Sequence, residues 1–194
     1  MANQKYFLVD VETTGTDSRT HDIIEIAYMT FELGPEGVEQ ATNIRVQRFL
    51  PRPDTAVDPN AFAVNGYYPG HPDWTGAMEH GTGRAEQFWR DVVRQTEGTI
   101  IAGHRVGFDK SFILRTLERE GLTPQWHHYR TFDTGPLATL ITAAHGEPPA
   151  SLENAYKLLG GKPVVAHRAA VDVMMTFELI KYGFHVVKNA PSLV

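Results

Sequence analysis

The sequence predicts an α/β protein whose mixed sheet opens as an antiparallel three-strand meander, continues with parallel strands, and is covered by helices on both faces. Three observations carry this prediction. The first fifty residues hold three extended runs separated by turn residues. From residue 84 onward, short apolar runs alternate with helical periodicity. No internal repeat, low-complexity tract or linker divides the 194 residues, a length suited to one substantial core, so a single domain over 1–194 is expected.

The first strand is Tyr6 to Val11, apolar and β-branched, ended by a Thr13-Thr14-Gly15 turn. Asp22 to Leu33 is the second, and Gly34-Pro35-Glu36-Gly37 turns the chain into a third extended run from Val38 to Leu50. Pro51 to Gly83 is rich in Pro, Gly, Asp and His and reads as loops with one short helix. A connection that long is usually functional or disordered, and Tyr67, Tyr68 and Trp74 favour an ordered, substrate-facing segment. Arg84 to Glu97 places Phe88, Trp89, Val92 and Val93 on helical spacing before Gly98. Thr99 to Gly103 is a short buried strand, and Asp109 to Glu120 a helix stopped by Gly121. Tyr129 to Phe132 reads as a fifth strand, followed by helices over Pro136 to Ala144 and from a Ser151 cap to Gly160-Gly161. A last long helix is expected from about Arg168 to Tyr182.

Composition narrows the function classes. Hydrophobic and charged fractions of 42% and 21% are those of an ordinary globular protein. Without cysteine there are no disulfides, thiolate zinc sites or cysteine nucleophiles. The start, Met1-Ala2-Asn3-Gln4-Lys5, lacks a signal-peptide core and no run of 18 apolar residues occurs, so a cytoplasmic protein without a membrane partner is expected. A net charge of −5 argues against coating nucleic acid through a broad basic face, but not against gripping a few nucleotides. His71 and His80 share no ligand spacing that would make a second metal site, His127-His128 reads as solvated loop, and Glu25 and Asp133 as scaffold.

Side chains alternate along a strand, so Asp10 and Glu12 share one face, about 7 Å apart along the backbone. Alone, the pair is consistent with solvated acids at an exposed strand end. Asp109 begins a helix and taken alone reads as an N-cap. Asp172 lies within Ala169 to Ile180, a helix apolar on almost every side, where an unpaired carboxylate costs several kcal/mol. Either Arg168, four residues earlier, pairs with it, or a metal does. Together the four carboxylates are hard oxygen ligands suited to Mg²⁺, with Mn²⁺ as substitute, rather than zinc. Two such ions would relieve the mutual repulsion and form the arrangement for displacement at a phosphodiester, with His167 as the missing general base.

Asp-Val-Glu-Thr-Thr-Gly at 10–15, Gly-His-x-x-x-Phe-Asp at 103–109 and His-Arg-Ala-x-x-Asp at 167–172 resemble the three motifs of the DEDDh exonucleases, the family of bacterial proofreading subunits and ribonuclease T. Ile23 to Ala27, Ala63 to Gly66, Phe132 to Thr134 and Leu152 to Ala155 extend the resemblance over roughly residues 5 to 182. It implies a ribonuclease H-like fold and 3′→5′ release of nucleoside monophosphates with two Mg²⁺. It further implies that Asp10, Glu12 and Asp172 hold the nucleophile-side metal, that Asp10 bridges to a second metal, and that Asp109 acts there partly through water. His167 would deprotonate the attacking water, and Thr13 and Thr14 would contact the terminal nucleotide. Phe108, Asn65 and Arg105 complete the expected substrate-binding set; Arg105 stands where the family usually has Asn, and Asn65 where many members have His. The expected partners are 3′ ends of single-stranded DNA or RNA, with a polymerase as a further candidate. Only Gly183 to Val194 follow the expected last helix, which favours a stand-alone enzyme over a tethered subunit. The alternatives are an endonuclease on the same fold and a catalytically silent binding module, the latter disfavoured because all five active-site positions are filled.

Overall fold

The computed structural model describes residues 3–191 except 69, 148–150, 163, 165 and 166; Met1, Ala2 and Val194, named above, lie outside the described residues. Strands β1 (Gln4–Thr13), β2 (Ile23–Gly34), β3 (Gly37–Glu39), β4 (Arg45–Leu50), β5 (Met78–Glu79), β6 (Ile100–Gly103) and β7 (Thr131–Asp133) form one seven-stranded sheet of order β5-β4-β2-β1-β6-β7, with β3 paired to β2. β1, β2 and β4 are antiparallel neighbours, whereas β6 and β7 join parallel to β1. The expected mixed sheet is present.

Alternation along β1 decides what each face meets. Phe7, Val9 and Val11 enter a core with Trp89, Phe112 and Trp126, contributed from helices α2 (Gly83–Gln95) and α3 (Gly107–Arg119) and the segment after α3. Leu8 points the other way, into a cluster with Ala27, Phe31, Val173 and Ile180 under the long helix α6 (Ala169–Asn189). Asp10 and Glu12 have the parity of Leu8, so they end the strand on the face that α6 covers. α4 (Gly135–Ala144) and α5 (Leu152–Leu158) pack against the outer part of α6 through Ala138, Ala155, Met175 and Leu179.

Several expected boundaries move for local reasons. The run from Val38 to Leu50 is two strands rather than one, because the polar Gln40 adopts φ 49° and Thr42 is drawn onto Thr30, its hydroxyl accepting the Thr30 N–H at 2.9 Å. The 51–83 connection is ordered into α1 (Pro59–Asn65), a 3₁₀ turn (Pro72–Trp74) and β5. α1 starts on an Asp58 cap with Pro59 in its first turn and ends on Gly66 at φ 73°. Tyr67 is buried, and Trp74 packs on it and on Phe62, so these two rings are scaffold rather than the substrate-facing surface expected of them. α6 continues to Asn189 instead of stopping near Tyr182: Gly183 is not a stop signal but a close contact, since a Cβ there would lie 2.8 Å from the Leu137 side chain. Among the described residues, no helix is long and apolar enough to cross a membrane.

Candidate active site

At the end of β1 the register with β2 breaks between Glu12 and Thr13, and such an irregularity re-aims the side chains that follow it. Asp10 and Glu12 remain in register, Glu12 directly opposite Glu25 of β2. The first turn of α6 brings Asp172 over them, and one oxygen from each of Asp10, Glu12 and Asp172 lies within 4.8 Å of the others. This is the one carboxylate or histidine group among the described residues that could hold an ion. Asp172 Oδ1 is buried and has no hydrogen-bond partner, although an orphaned buried oxygen costs at least about 1–3 kcal/mol. Arg168 does not fill that role. Its guanidinium turns away to Asp73 at 2.5 Å and over the Tyr67 ring, so the ion pair considered from sequence is absent.

Asp109 is not an N-cap. α3 begins at Gly107 after a Val106 that makes no side-chain cap, which leaves Asp109 in the first turn, where its Oδ1 accepts the Val11 N–H at 2.9 Å. It is thereby tied to the strand between the two acids, beside the converging triad rather than within it. All four acids border one cavity of about 500 Å³, together with His104, His167, Phe108, Asn65 and Arg105. A smaller one of about 230 Å³ shares Asp10, His167 and Asp172 and adds Glu153.

Burial, followed by repulsion from Asp109, Asp172, Glu12 and Glu25, raises Asp10 well above the usual carboxylate range. Burial and then Asp172 raise Glu12 to about 8. Asp109 is raised to about 7 and Asp172 to about 6, burial leading in both. Acids that resist ionising unless a cation joins them, an oxygen without a partner and an all-carboxylate donor set fit a divalent metal. A stability consequence follows. Because these folded-state values lie above those of unfolded chains, the native protein binds more protons between about pH 4.5 and 8, and without metal its stability falls as pH rises through that window. Thermal melts in chelator should therefore give a higher Tm at pH 6 than at pH 8, and Glu12→Gln should flatten the slope; a Tm that rises with pH in chelator would contradict the shifts.

The remaining expected residues divide into wall and scaffold. His167 sits ahead of α6 with φ 60°, and Arg105 has φ 56°; left-handed backbone costs a non-glycine residue about 1–2 kcal/mol. The Arg105 N–H is held by Asp133 Oδ1 at 2.9 Å, and the side chain borders both cavities. Phe108 is 39% exposed, lines the larger cavity and packs against Phe112. Thr13 lines the cavity, but its hydroxyl donates to Gly15 O at 2.7 Å. Asn65 also lines it, with Nδ2 donating to Thr13 O and Oδ1 accepting Tyr67 N–H, both at 3.1 Å. Thr14 corrects an expectation: it is fully buried, its hydroxyl bridges Ala56 O and Asp22 N, and its own N–H and C=O bond Asp22 and Asp58. The turn's packing against β2 and the 51–58 loop uses every polar group of Thr14, which leaves none for a nucleotide.

Two wall residues received no role from sequence. His104, visible as the second position of the 103–109 motif, turns Nδ1 to Thr134 Oγ1 at 3.1 Å, and burial and then Arg105 lower its pKa, favouring neutral imidazole. Glu153, two residues past the Ser151 cap, lay within the Leu152 to Ala155 segment of the resemblance but was given no role of its own.

A mixed sheet with helices on both faces gathers these carboxylates and a histidine around one cavity, an arrangement suited to metal-dependent hydrolysis of phosphodiesters. Residues 7–180 match the family described as exonuclease, of the ribonuclease T type. Ribonuclease T of Yersinia enterocolitica is 28% identical over 179 residues, covering 89% of this chain and 80% of that protein. Ribonuclease T of Escherichia coli K12 is 32% identical over 143 residues, covering 69% and 64%. In structure, the zinc-bound complex of Escherichia coli exonuclease I with single-stranded DNA superposes with a TM-score of 0.74 at 20% identity, over 97% of this chain and 41% of that one, which establishes likeness of fold. The chain belongs to the DEDDh family of 3′→5′ exonucleases.

Proposed function

We propose that this exonuclease hydrolyses the terminal phosphodiester at the 3′ end of single-stranded or frayed nucleic acid and releases nucleoside 5′-monophosphates, with two divalent ions, Mg²⁺ or Mn²⁺, as cofactors. The observation that carries the proposal is the convergence of Asp10, Glu12 and the unpartnered Asp172 oxygen in a cavity that His167 also borders. Asp10, Glu12 and Asp172 would hold the ions, with Asp109 adjoining, and bound ions would supply Lewis acidity and offset the charge that develops on the leaving oxygen. His167 accepts the proton of the attacking water at a ring nitrogen. Phe108 offers a face on which a terminal base stacks, Arg105 meets backbone phosphate at the rim, and Asn65 and Thr13 shape the wall beside the last sugar.

The complex of exonuclease I with single-stranded DNA supports a single-stranded substrate, and the ribonuclease T relatives keep RNA among the candidates. The comparisons lend a polymerase partner no support. We take 1–194 as one catalytic domain.

Digestion of end-labelled DNA and RNA, single- and double-stranded, tests the proposal. The expected products are 5′-monophosphates accumulating from the 3′ end, and a 3′-phosphate should block the reaction. Cleavage of a circular single strand at a comparable rate would replace this assignment with an endonuclease.

A further inference from the structure

His167 is an unusual general base in its setting. Such a histidine is ordinarily oriented by a third group bonded to its second ring nitrogen. Among the described residues, the His167 imidazole makes no hydrogen bond, yet it borders both cavities beside Asp10 and Asp172. Its backbone is left-handed, at φ 60°. What holds that backbone is visible in the next two residues. Arg168 reaches sideways to Asp73 Oδ2 at 2.5 Å, and its guanidinium carbon lies 5.2 Å from the centroid of the Tyr67 ring. The N–H of Ala169, one of the free donors at the start of α6, is taken by Glu25 Oε1 at 3.0 Å. Glu25 is buried and is held in turn by Arg48 Nε at 2.6 Å and the Tyr67 hydroxyl at 2.5 Å. Arg48 also approaches Asp73, at 3.9 Å, so the contacts close into a ring. That ring joins β2, β4 and the 51–83 connection to the single turn that carries His167 into the site.

We propose that Arg168, clamped between Asp73 and Tyr67, is a positioning residue that aims His167, with Glu25 fixing the adjoining helix start. The proposal rests on His167 as base, and it gives the ordered 51–83 connection a task in the reaction without contact to the reacting atoms.

The test is a double-mutant cycle on the full chain, measuring kcat and KM on a single-stranded oligonucleotide with Mg²⁺. Arg168→Ala should lower kcat by about 10- to 100-fold, the scale of a small misplacement of a reacting group, with KM nearly unchanged. Arg168→Lys, which keeps the charge facing Asp73, should recover part of the loss. In a His167→Ala background, Arg168→Ala should cost little more, because residues acting as one unit are not additive. Hydrogen exchange on metal-free protein gives a readout apart from activity: amides at the start of α6 should lose protection in Arg168→Ala while those of β1 keep theirs. Equal losses in both backgrounds, or a raised KM at unchanged kcat, would overturn the positioning role and leave His167 as base. A wild-type rate for His167→Ala by itself would overturn the base assignment and the clamp with it.

Discussion

Asp10→Ala should abolish hydrolysis while leaving a folded protein that, in chelator, melts no lower than wild type. Asp10 lies where the triad converges, and its carboxylate meets repulsion from Asp109, Asp172, Glu12 and Glu25. Removing it would take away a proposed metal ligand, and with it several kcal/mol of transition-state charge stabilisation, at least about 10³-fold in rate. The same change relieves repulsion in the metal-free state, so the activity loss cannot be blamed on unfolding. Titration with Mg²⁺ separates the two effects. Wild type should gain about 2.7 kcal/mol of stability at a hundredfold excess over the dissociation constant, seen as a rise in Tm, and Asp10→Ala should show almost none of it. Equal metal responses in the two proteins would mean that the carboxylates are structural, and an active Asp10→Ala would remove the site.

His167→Ala should lower turnover by about 10²–10⁴-fold, the usual scale for a lost general base, with substrate affinity changed far less. His167 is not among the residues whose oxygens converge, and it precedes α6 rather than packing within it. The melting temperature of the variant should therefore stay close to that of wild type, with or without Mg²⁺. His167→Asn keeps polarity and approximate size but cannot take up the proton, so it should share the defect. Added imidazole should restore part of the activity to His167→Ala and none to Asp10→Ala. If His167→Ala instead loses stability while turnover stays nearly intact, the residue serves only to start the helix.

By itself, the amino-acid sequence determined the class of the protein and pointed to the five residues proposed for its site. Asp10 and Glu12 are one period of a strand apart, so their common face follows from local geometry. Asp172 was conspicuous as a charge within an apolar helix, and His167 stood at that helix's leading edge or in the loop before it. Such signals depend on neighbours within a few positions, which is why the meander, the alternating strands and helices, and the Ser151 cap were also legible. Local signals misled where one residue type serves two purposes. Asp109 resembled a cap but bonds Val11, 98 positions away, and Gly183, just past the expected end of the last helix, lies inside α6 and makes room for Leu137.

Only the tertiary structure decided who partners whom across the chain. It sent Arg168 to Asp73, 95 positions away, rather than to the nearby Asp172, and brought Glu25 to the Ala169 N–H, 144 positions away. It turned Tyr67 inward onto Glu25, and it used up Thr14 between Asp22 and Ala56 when the motif suggested a nucleotide contact. The reason is physical: a side chain's partner is set by which of several nearby groups remains unsatisfied once the sheet and α6 have packed, and that competition leaves no trace in sequence spacing. Asp109 found the Val11 N–H and Glu25 found Arg48, Tyr67 and the Ala169 N–H, whereas Asp172 Oδ1 was left without a partner beside Asp10 and Glu12.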